Sequence, residues 1–444
     1  WITIGCMTAD KNDQAASPGW REYLQDKVLV IFFLGFSGGL PFPLVYATLT
    51  AWLNEAGLEK STITTFAWVG FAYAFKFLWS PLVDRLTVPV LTRFLGRRRA
   101  WLLLAQFAIG IGLFILAGVD PAGATGAFAA IAVGVAISSA TQDMAIDAYR
   151  IECAEQKMQA LLAASYQYGY RIAIIVGGAF ALYIAQWGSW EIAYQCMAAC
   201  MLIGVATTLY CKEPPLPEGA EVGPIFEEGF DRWFFESVVG PFIDFFKRYG
   251  TFALTMLAFI AFYRMSDYVL GILANPFYLD IGFSKAEIAS VAKLYGLWIA
   301  LVGIAGGGWS ILRFGLAKSL IAAATLIATT NLIFAGLAYT GPELWALAAT
   351  ISFDNFAQGF SGTVFIAYLS SLTNMQFTAT QYALFSSLSV FFGKLVAGWS
   401  GNVQESLGYV GFFIYAAALG IPSIVLAIIV VRHSRLQEDD EHVG

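Results

Sequence analysis

Apolar runs of about twenty residues recur along the whole chain and restrict it to structures that cross a lipid bilayer. A span of about 20 residues is the length at which an α-helix crosses a bilayer core of about 30 Å. Inside that core every backbone polar group needs a partner, so only helices and closed barrels can span it. With that window the sequence predicts twelve helices, at about residues 28–52, 64–83, 100–118, 124–147, 160–186, 190–210, 249–276, 287–311, 316–339, 343–371, 379–400 and 408–431.

Composition agrees with a membrane protein and excludes several function classes. The chain is 58% hydrophobic and 13% charged, whereas soluble domains are about 25% charged. A net charge of −6 argues against a nucleic-acid partner. The five cysteines show no metal-ligand spacing, and both histidines lie in the C-terminal tail. We therefore expect no metal and no cofactor, no enzyme active site, and a carboxylate rather than an imidazole as any proton carrier in the membrane.

The loops differ in positive charge, which sets the orientation. Most of the 25 Lys and Arg residues fall on one set of loops, and the opposite set holds Lys60 and Lys285. Because Lys and Arg are retained on the cytoplasmic side, the sequence predicts that both termini are cytoplasmic.

A long loop and an internal repeat divide the chain into two halves. The segment Glu55–Ile63 after the first span matches Asp280–Ile288 after the seventh. Two parallel six-helix halves form the major facilitator arrangement, in which substrate binds near the midplane. The fold class predicted is an all-α membrane protein with twelve transmembrane helices. The predicted parts are a cytoplasmic tail (1–27), a six-helix bundle (28–210), a linker (211–248) with an amphipathic helix at 230–248, a second bundle (249–431) and a second tail (432–444).

The loop between the second and third spans resembles the signature of facilitator proteins. It carries Asp84 and Arg85, followed after an insert by Gly96, Arg97 and Arg98. In that family the motif forms a cytoplasmic gate, and Arg150 at the end of the fourth span is assigned to the same gate. Topology alone is the alternative, and it explains the arginines but not Asp84.

Three sequence blocks resemble the AmpG family of muropeptide permeases. They are 35–41, 75–85 and 139–150, and a fourth, at 378–384, is also similar. The resemblance implies proton-driven import of N-acetylglucosaminyl-1,6-anhydro-N-acetylmuramyl peptides from periplasm to cytoplasm, for cell-wall recycling, across the inner membrane of a Gram-negative cell. The acetyl-CoA transporters share the Gln-Asp-x-x-x-Asp core of the third block. A carrier of acetyl-CoA or another anionic metabolite therefore stays open.

Asp143 and Asp147 are the candidates for proton coupling. They lie four residues apart, on one face of the fourth span, where a charged side chain costs at least ~2.5–3.5 kcal/mol. A carboxylate whose pKa is raised by burial and lowered by a nearby cation is poised to load and release a proton. Asp143 is the first choice, because Asp147 with Arg150 one turn on belongs equally well to the gate.

The remaining polar residues at membrane depth are candidates for binding a glycopeptide. Lys76 is either a ligand contact or a structural partner of the two aspartates, and Arg171 is either a ligand contact or a packing partner of Asp147. Gly38 and Gly39 let the first span approach a ligand or pack closely on another helix. Arg264 and Asp267 are predicted to pair with each other. The full set, for a protein expected to be a monomer, is Gly38, Gly39, Lys76, Gln142, Tyr170, Arg171, Asn355, Gln358 and Lys394.

Overall fold

The computed structural model describes residues 25–216, 235–284 and 287–443, and these form helices with no strand. Most of the predicted N-terminal tail, and the first part of the predicted amphipathic helix, lie outside these ranges. The long described helical segments are α1 (Asp26–Glu55), α2 (60–85), α3 (Arg97–Ala117), α4 (Thr125–Glu152), α5 (Gln156–Trp187), α6 (Trp190–Tyr210), α7 (Phe252–Asp280), α8 (288–314), α9 (316–340), α10 (Leu344–Leu372), α11 (Thr378–Ala397) and α12 (400–443). Shorter helices at Leu91–Leu95 and Gly240–Tyr249 lie in the connecting segments.

Eight helices within the described ranges are long and apolar enough to cross a membrane. One of them, Ser290–Thr340, covers two of the predicted spans. The two spans are separated at Gly315, whose backbone is not helical (φ 82°, ψ 161°). That break separates α8 from α9. α2 is interrupted, and α10 and α11 carry more polar residues, so these three are not among the eight.

The second span is irregular, where the sequence predicted one helix over 64–83. Short α-helical and 3₁₀ turns follow one another, and the chain leaves helical geometry at Phe75 and again at Trp79. Pro81 has no N–H and cannot donate to the carbonyl of Phe77 one turn earlier. The Ser80 hydroxyl donates to that carbonyl instead, at 2.9 Å. Lys76 lies within the resulting 3₁₀ turn.

The predicted repeat appears as the same turn after α1 and after α7. Gly57 and Gly282 both have positive φ, at 80° and 109°. In both cases the N–H of the residue after the glycine donates to the carbonyl five residues earlier. Leu58 donates to the Leu53 carbonyl at 3.2 Å, and Phe283 donates to the Tyr278 carbonyl at 3.0 Å. This is the Schellman ending, which favours glycine at its left-handed position.

The described helices fall into two compact units, each with its own core. Among the described residues, the first unit holds 25–216, 235–244 and 373–387, and the second holds 245–284, 287–372 and 388–443. Residues 373–387 follow α10 in sequence, yet they make their contacts in the first unit. The core of the first unit includes Leu40, Leu44, Ile109, Phe128 and Tyr194, and that of the second includes Phe277, Phe334, Leu347, Phe412 and Phe413.

Candidate functional site

α4 carries the polar residues through the interior of the first unit. Every side chain from Gln142 to Glu152 is buried. A helix rises about 1.5 Å per residue, so Asp143 lies about 14 Å along the axis from Glu152, close to half the thickness of a bilayer core. α4 therefore has charged residues both at its C-terminal end and in its middle, and the two regions are built differently. We call the region around its C-terminal end, which includes residues of neighbouring helices, the arginine-rich end (Asp84, Arg97, Arg98, Arg150 and Glu152).

Asp143 is buried in the middle of the unit with an unsatisfied oxygen. Only 7% of the residue is exposed, and its Oδ1 has no hydrogen-bond partner among the described residues. α1 comes close to it because Gly38 has no side chain; a Cβ there would lie 3.1 Å from that Oδ1. A buried carboxylate oxygen without a donor is costly, so Asp143 is placed to receive a proton or a ligand group.

Lys76 is the cation that accompanies Asp143. It is 8% exposed and lies within electrostatic range of both Asp143 and Asp147. No ion pair within 4 Å joins Lys76 to either carboxylate among the described side chains. Lys76 therefore interacts electrostatically with Asp143 and Asp147 without forming a direct ion pair with either.

Neutral polar side chains surround this centre. The Gln142 amide donates to Ser37 Oγ on α1 at 2.8 Å, while its own oxygen is buried without a partner. The Tyr73 hydroxyl donates to Ser139 Oγ at 2.9 Å. The ring of Tyr73 lies 5.8 Å from the half-exposed ring of Phe42, one turn beyond Gly38 on α1. Amide and hydroxyl groups beside aromatic rings are suited to a sugar-containing ligand.

Four of the other predicted ligand residues lie near this centre or against its helices. Tyr170 on α5 lies within electrostatic range of Asp143 and of Arg171, and Arg171 is partly buried. Gly39 faces α5, where a Cβ would lie 2.5 Å from the Tyr170 carbonyl oxygen. Gly39 thus serves close helix packing, whereas Gly38 faces Asp143.

Asp147 sits one turn closer to the arginine-rich end and has direct partners. Arg150 Nη2 lies 3.3 Å from Asp147 Oδ1, and the Tyr382 hydroxyl is within hydrogen-bonding range of the same carboxylate. The Arg150 guanidinium also lies 5.4 Å from the centre of the Tyr382 ring. Asp147 and Arg150 therefore bind the segment 373–387.

The arginine-rich end contains a buried ion-pair network. Arg98 Nη2 lies 2.8 Å from Asp84 Oδ1, and Arg98 also pairs with Glu152. Arg97 Nη2 lies 3.2 Å from Glu152 Oε1, and its Nη1 donates to the Asp84 carbonyl at 2.7 Å. The Arg85 guanidinium lies 6.0 Å from the centre of the Phe377 ring.

Asp84 also caps the start of α11. Its carboxylate accepts the backbone N–H of Ala379 at 3.0 Å and that of Thr380 at 2.7 Å, together with the Thr380 hydroxyl at 2.7 Å. The first N–H groups of a helix lack intrahelical partners and favour a negative charge. One buried carboxylate thus joins α3, through Arg98, to α11.

Glu213 caps α3 in the same manner. Its carboxylate accepts the N–H groups of Arg98 at 2.7 Å and Arg99 at 3.0 Å. Gly96 makes room for it: φ is +89° there, and a Cβ would lie 2.3 Å from Glu213 Cγ. Burial raises the pKa of Glu213, and the two N–H bonds oppose that shift.

The predicted site residues of the second half lie in the second unit. Gln358 donates to Asp354 Oδ2 at 2.9 Å, and Asn355 donates to the Ile351 carbonyl at 3.1 Å, so both amides bond within α10. Lys394 on α11 is exposed. Arg264 and Asp267 form the predicted local ion pair, at 3.3 Å.

Three residues of the first unit have roles that sequence reasoning missed. Glu152 and Glu213 carry no sequence signal, because their partners lie far away in sequence. Tyr382 lies inside the block 378–384, whose similarity to the AmpG family is the available signal.

Comparison with known proteins gives consistent results. The pattern of the family described as "Major Facilitator Superfamily" matches residues 28–398. The chain is 34% identical over 402 residues to "Putative transporter AmpG 4" of Rickettsia conorii, covering 90% of this chain and 95% of that protein. It is 33% identical over 419 residues to "Anhydromuropeptide permease" of Escherichia coli (strain K12), covering 92% of this chain and 80% of that protein.

Solved structures share the fold at low sequence identity. The proton:xylose symporter XylE, bound to 6-bromo-6-deoxy-D-glucose, gives a TM-score of 0.68 at 15% identity, covering 93% of this chain and 96% of that chain. The transporter FucP in the outward conformation also gives 0.68 at 15% identity, covering 91% and 99%. The predicted twelve-helix architecture is thus confirmed as a fold.

Proposed function

Because the chain belongs to the AmpG family of the major facilitator superfamily, we propose that it imports anhydromuropeptides, driven by protons, for peptidoglycan recycling. Membership makes it a multi-pass membrane transporter. The finer statement is the proposal: the substrate is an N-acetylglucosaminyl-1,6-anhydro-N-acetylmuramyl peptide, and it moves from periplasm to cytoplasm across the inner membrane. The proton gradient is the only energy source, without a cofactor.

The similarity to the Escherichia coli permease carries the proposal for the substrate, because it extends over 92% of this chain. The site supports it chemically. A disaccharide needs neutral donors and acceptors, and a peptide with several carboxylates needs a cation. Gln142, Tyr73 and Lys76 offer these groups around one buried carboxylate.

Asp143 is the proposed proton carrier. Its Oδ1 lacks a donor, and Lys76 acts on it without an ion pair that would hold the carboxylate charged. A proton taken from the periplasmic side neutralises a buried charge, and its release on the other side restores that charge. Asp147 is already held by Arg150 and belongs to the gate.

The arginine-rich end is the proposed cytoplasmic gate. Asp84 and Asp147 both bind residues of the segment 373–387, and opening towards the cytoplasm requires those bonds to break. Alternating access then exposes the central site first to one side and then to the other. In this proposal both termini are cytoplasmic, as the excess of Lys and Arg on one set of loops indicates, and the transporter acts as a monomer.

Transport of acetyl-CoA or another anionic metabolite is the second candidate. The Gln142-Asp143 and Asp147 core, which acetyl-CoA transporters share, favours it, and so do the cations Lys76 and Arg171 near the centre.

Uptake by purified protein in liposomes separates the two. With an inward proton gradient, labelled anhydromuropeptide should accumulate, and an uncoupler should abolish the accumulation. Labelled acetyl-CoA under the same gradient is the parallel measurement. Flux of acetyl-CoA without uptake of the muropeptide would replace the first proposal by the second.

A further inference from the structure

The linker helix Gly240–Tyr249 is bonded to the turn that precedes α11. Asp244 Oδ1 accepts the Asn374 side-chain amide at 3.0 Å, and Asp244 Oδ2 accepts the Gln381 amide at 2.9 Å. One carboxylate therefore bonds both to the turn before α11, at Asn374, and to the first turn of α11, at Gln381, seven positions later in sequence.

The turn is closed on itself by the same residues. Gln381 Oε1 accepts the backbone N–H of Asn374 at 2.7 Å, and Gln381 Nε2 also donates to the Pro241 carbonyl at 2.9 Å. Gln381 is 1% exposed, so these bonds lie out of water, where each is strongest and its loss is most costly. Asn374, Gln381 and Asp244 thus fix the path of the chain from residue 374 into the first turn of α11.

That first turn is the part of α11 that Asp84 binds. Ala379 and Thr380, whose N–H groups point at Asp84, lie between Asn374 and Gln381. The turn is therefore held by two carboxylates: Asp84 from the end of α2 and Asp244 from the linker helix. We propose that Asp244 is a positioning residue of the transport cycle: it holds the α11 N-terminus in the orientation that closes on Asp84.

The negative charge of Asp244 is the essential property, because it accepts from two amides at once. An asparagine there would keep one acceptor and turn an NH₂ group towards the other amide, which can only donate. Gln381→Glu would fail for the opposite reason, because it sets two carboxylates against each other. Combining the two substitutions restores the bond between residues 244 and 381 with donor and acceptor exchanged, while the Pro241 carbonyl stays without its donor.

The test follows access to α11 and needs no substrate, so its result is independent of which molecule is carried. Ala383→Cys supplies a reporter thiol at a buried position (1% exposed) one turn further along α11. The five native cysteines are first replaced by serine. Inside-out membrane vesicles are treated with a membrane-impermeant maleimide, and the labelling rate and the melting temperature are measured for each variant. Lys247→Gln, on an exposed position of the same helix, is the control.

We expect Asp244→Asn to raise the labelling rate roughly tenfold, the factor that loss of one charge-assisted hydrogen bond produces in an equilibrium. Gln381→Glu should raise it more, because it also loses the bond to the Pro241 carbonyl. The double variant Asp244→Asn/Gln381→Glu regains the bond between residues 244 and 381, so it should label more slowly than Gln381→Glu. It should still label faster than the Lys247→Gln control, because the Pro241 carbonyl has no donor. The single variants should melt a few degrees below that control, because each loses a buried hydrogen bond. Unchanged rates in both single variants would overturn the proposal, as would a double variant that labels as fast as Gln381→Glu. Failure of the single variants to accumulate in the membrane would assign the three residues to folding and also overturn it.

Discussion

The arginine-rich end and the middle of the first unit hold similar charges in opposite ways. At the arginine-rich end each carboxylate has direct partners: Asp84 binds Arg98 and the start of α11, and Glu152 binds two arginines. In the middle, one oxygen of Asp143 has no hydrogen-bond donor among the described residues, and Lys76 interacts with this carboxylate only at longer range. Both regions are almost completely buried, so exposure to water does not explain the difference.

The difference separates stability from transport. Removing one member of a buried, paired network leaves an uncompensated charge, which costs about 3–5 kcal/mol. Neutralising a buried carboxylate that has no partner removes a penalty instead. Substitutions at the arginine-rich end should therefore lower the stability of the protein or weaken the closure of the proposed gate. Substitutions at Asp143 should instead abolish the coupling of transport to protons.

The largest loss of stability is expected from Arg98→Ala. Arg98 is 0% exposed and binds both Asp84 and Glu152, so the substitution leaves two buried carboxylates with one cation fewer. We expect the free energy of unfolding to fall by about 3–5 kcal/mol, measured by denaturation in detergent. Arg93→Ala, at an exposed position nearby, is the control and should change it by less than about 0.5 kcal/mol. Equal effects of the two would remove the distinction between paired and unpaired charges.

Asp84→Asn should have a smaller effect on stability and a clear one on closure. Arg98 keeps Glu152 as a partner, so we expect a loss of about 1.5–3 kcal/mol, the value for a hydrogen bond to a charged group. The N–H groups of Ala379 and Thr380 lose a charged acceptor. The thiol reporter at residue 383 should then label faster. A labelling rate equal to that of the parent protein would show that Asp84 does not hold α11.

Gly39→Ala and Gly38→Ala test the packing of α1 on its two neighbours. A Cβ at Gly39 meets the Tyr170 backbone oxygen at 2.5 Å, whereas one at Gly38 meets side-chain atoms of Asp143 and Ile146 at 3.1 and 3.2 Å. We expect Gly39→Ala to cost about 1–3 kcal/mol of stability and Gly38→Ala to cost less than about 1 kcal/mol. Gly38→Ala should reduce uptake, because its methyl group presses on Asp143. The opposite ranking in stability would assign Gly38 to helix packing.

The sequence was sufficient for the twelve helices and for the charged stripe on α4. Runs of about twenty apolar residues predict helices, because an α-helix satisfies its own backbone hydrogen bonds within the bilayer core. The paired glycines at 57 and 282 also follow from the repeat, since the same turn needs the same left-handed residue. The local Arg264–Asp267 pair was readable because it spans one helical turn.

Contacts between segments that lie far apart in sequence could not be predicted from the sequence. Asp84 reaches Thr380 and Arg98 reaches Glu152 through the tertiary fold, and no spacing along one helix encodes such pairs. The irregular path of α2 was missed because its composition is apolar throughout, and only Pro81 and Ser80 indicate where a carbonyl must be satisfied differently. Placement of 373–387 in the first unit likewise depends on contacts made after folding.

The most direct test of the account compares exchange with accumulation in Asp143→Asn. Asparagine keeps the size of the side chain but cannot carry a proton, so liposomes preloaded with anhydromuropeptide should still exchange it for labelled anhydromuropeptide. Accumulation driven by an inward proton gradient should be lost, and the melting temperature should equal or exceed that of the parent protein, because a buried charge is removed. Full gradient-driven accumulation in this variant would contradict the central claim that the unpaired carboxylate in the middle of the bundle couples transport to protons.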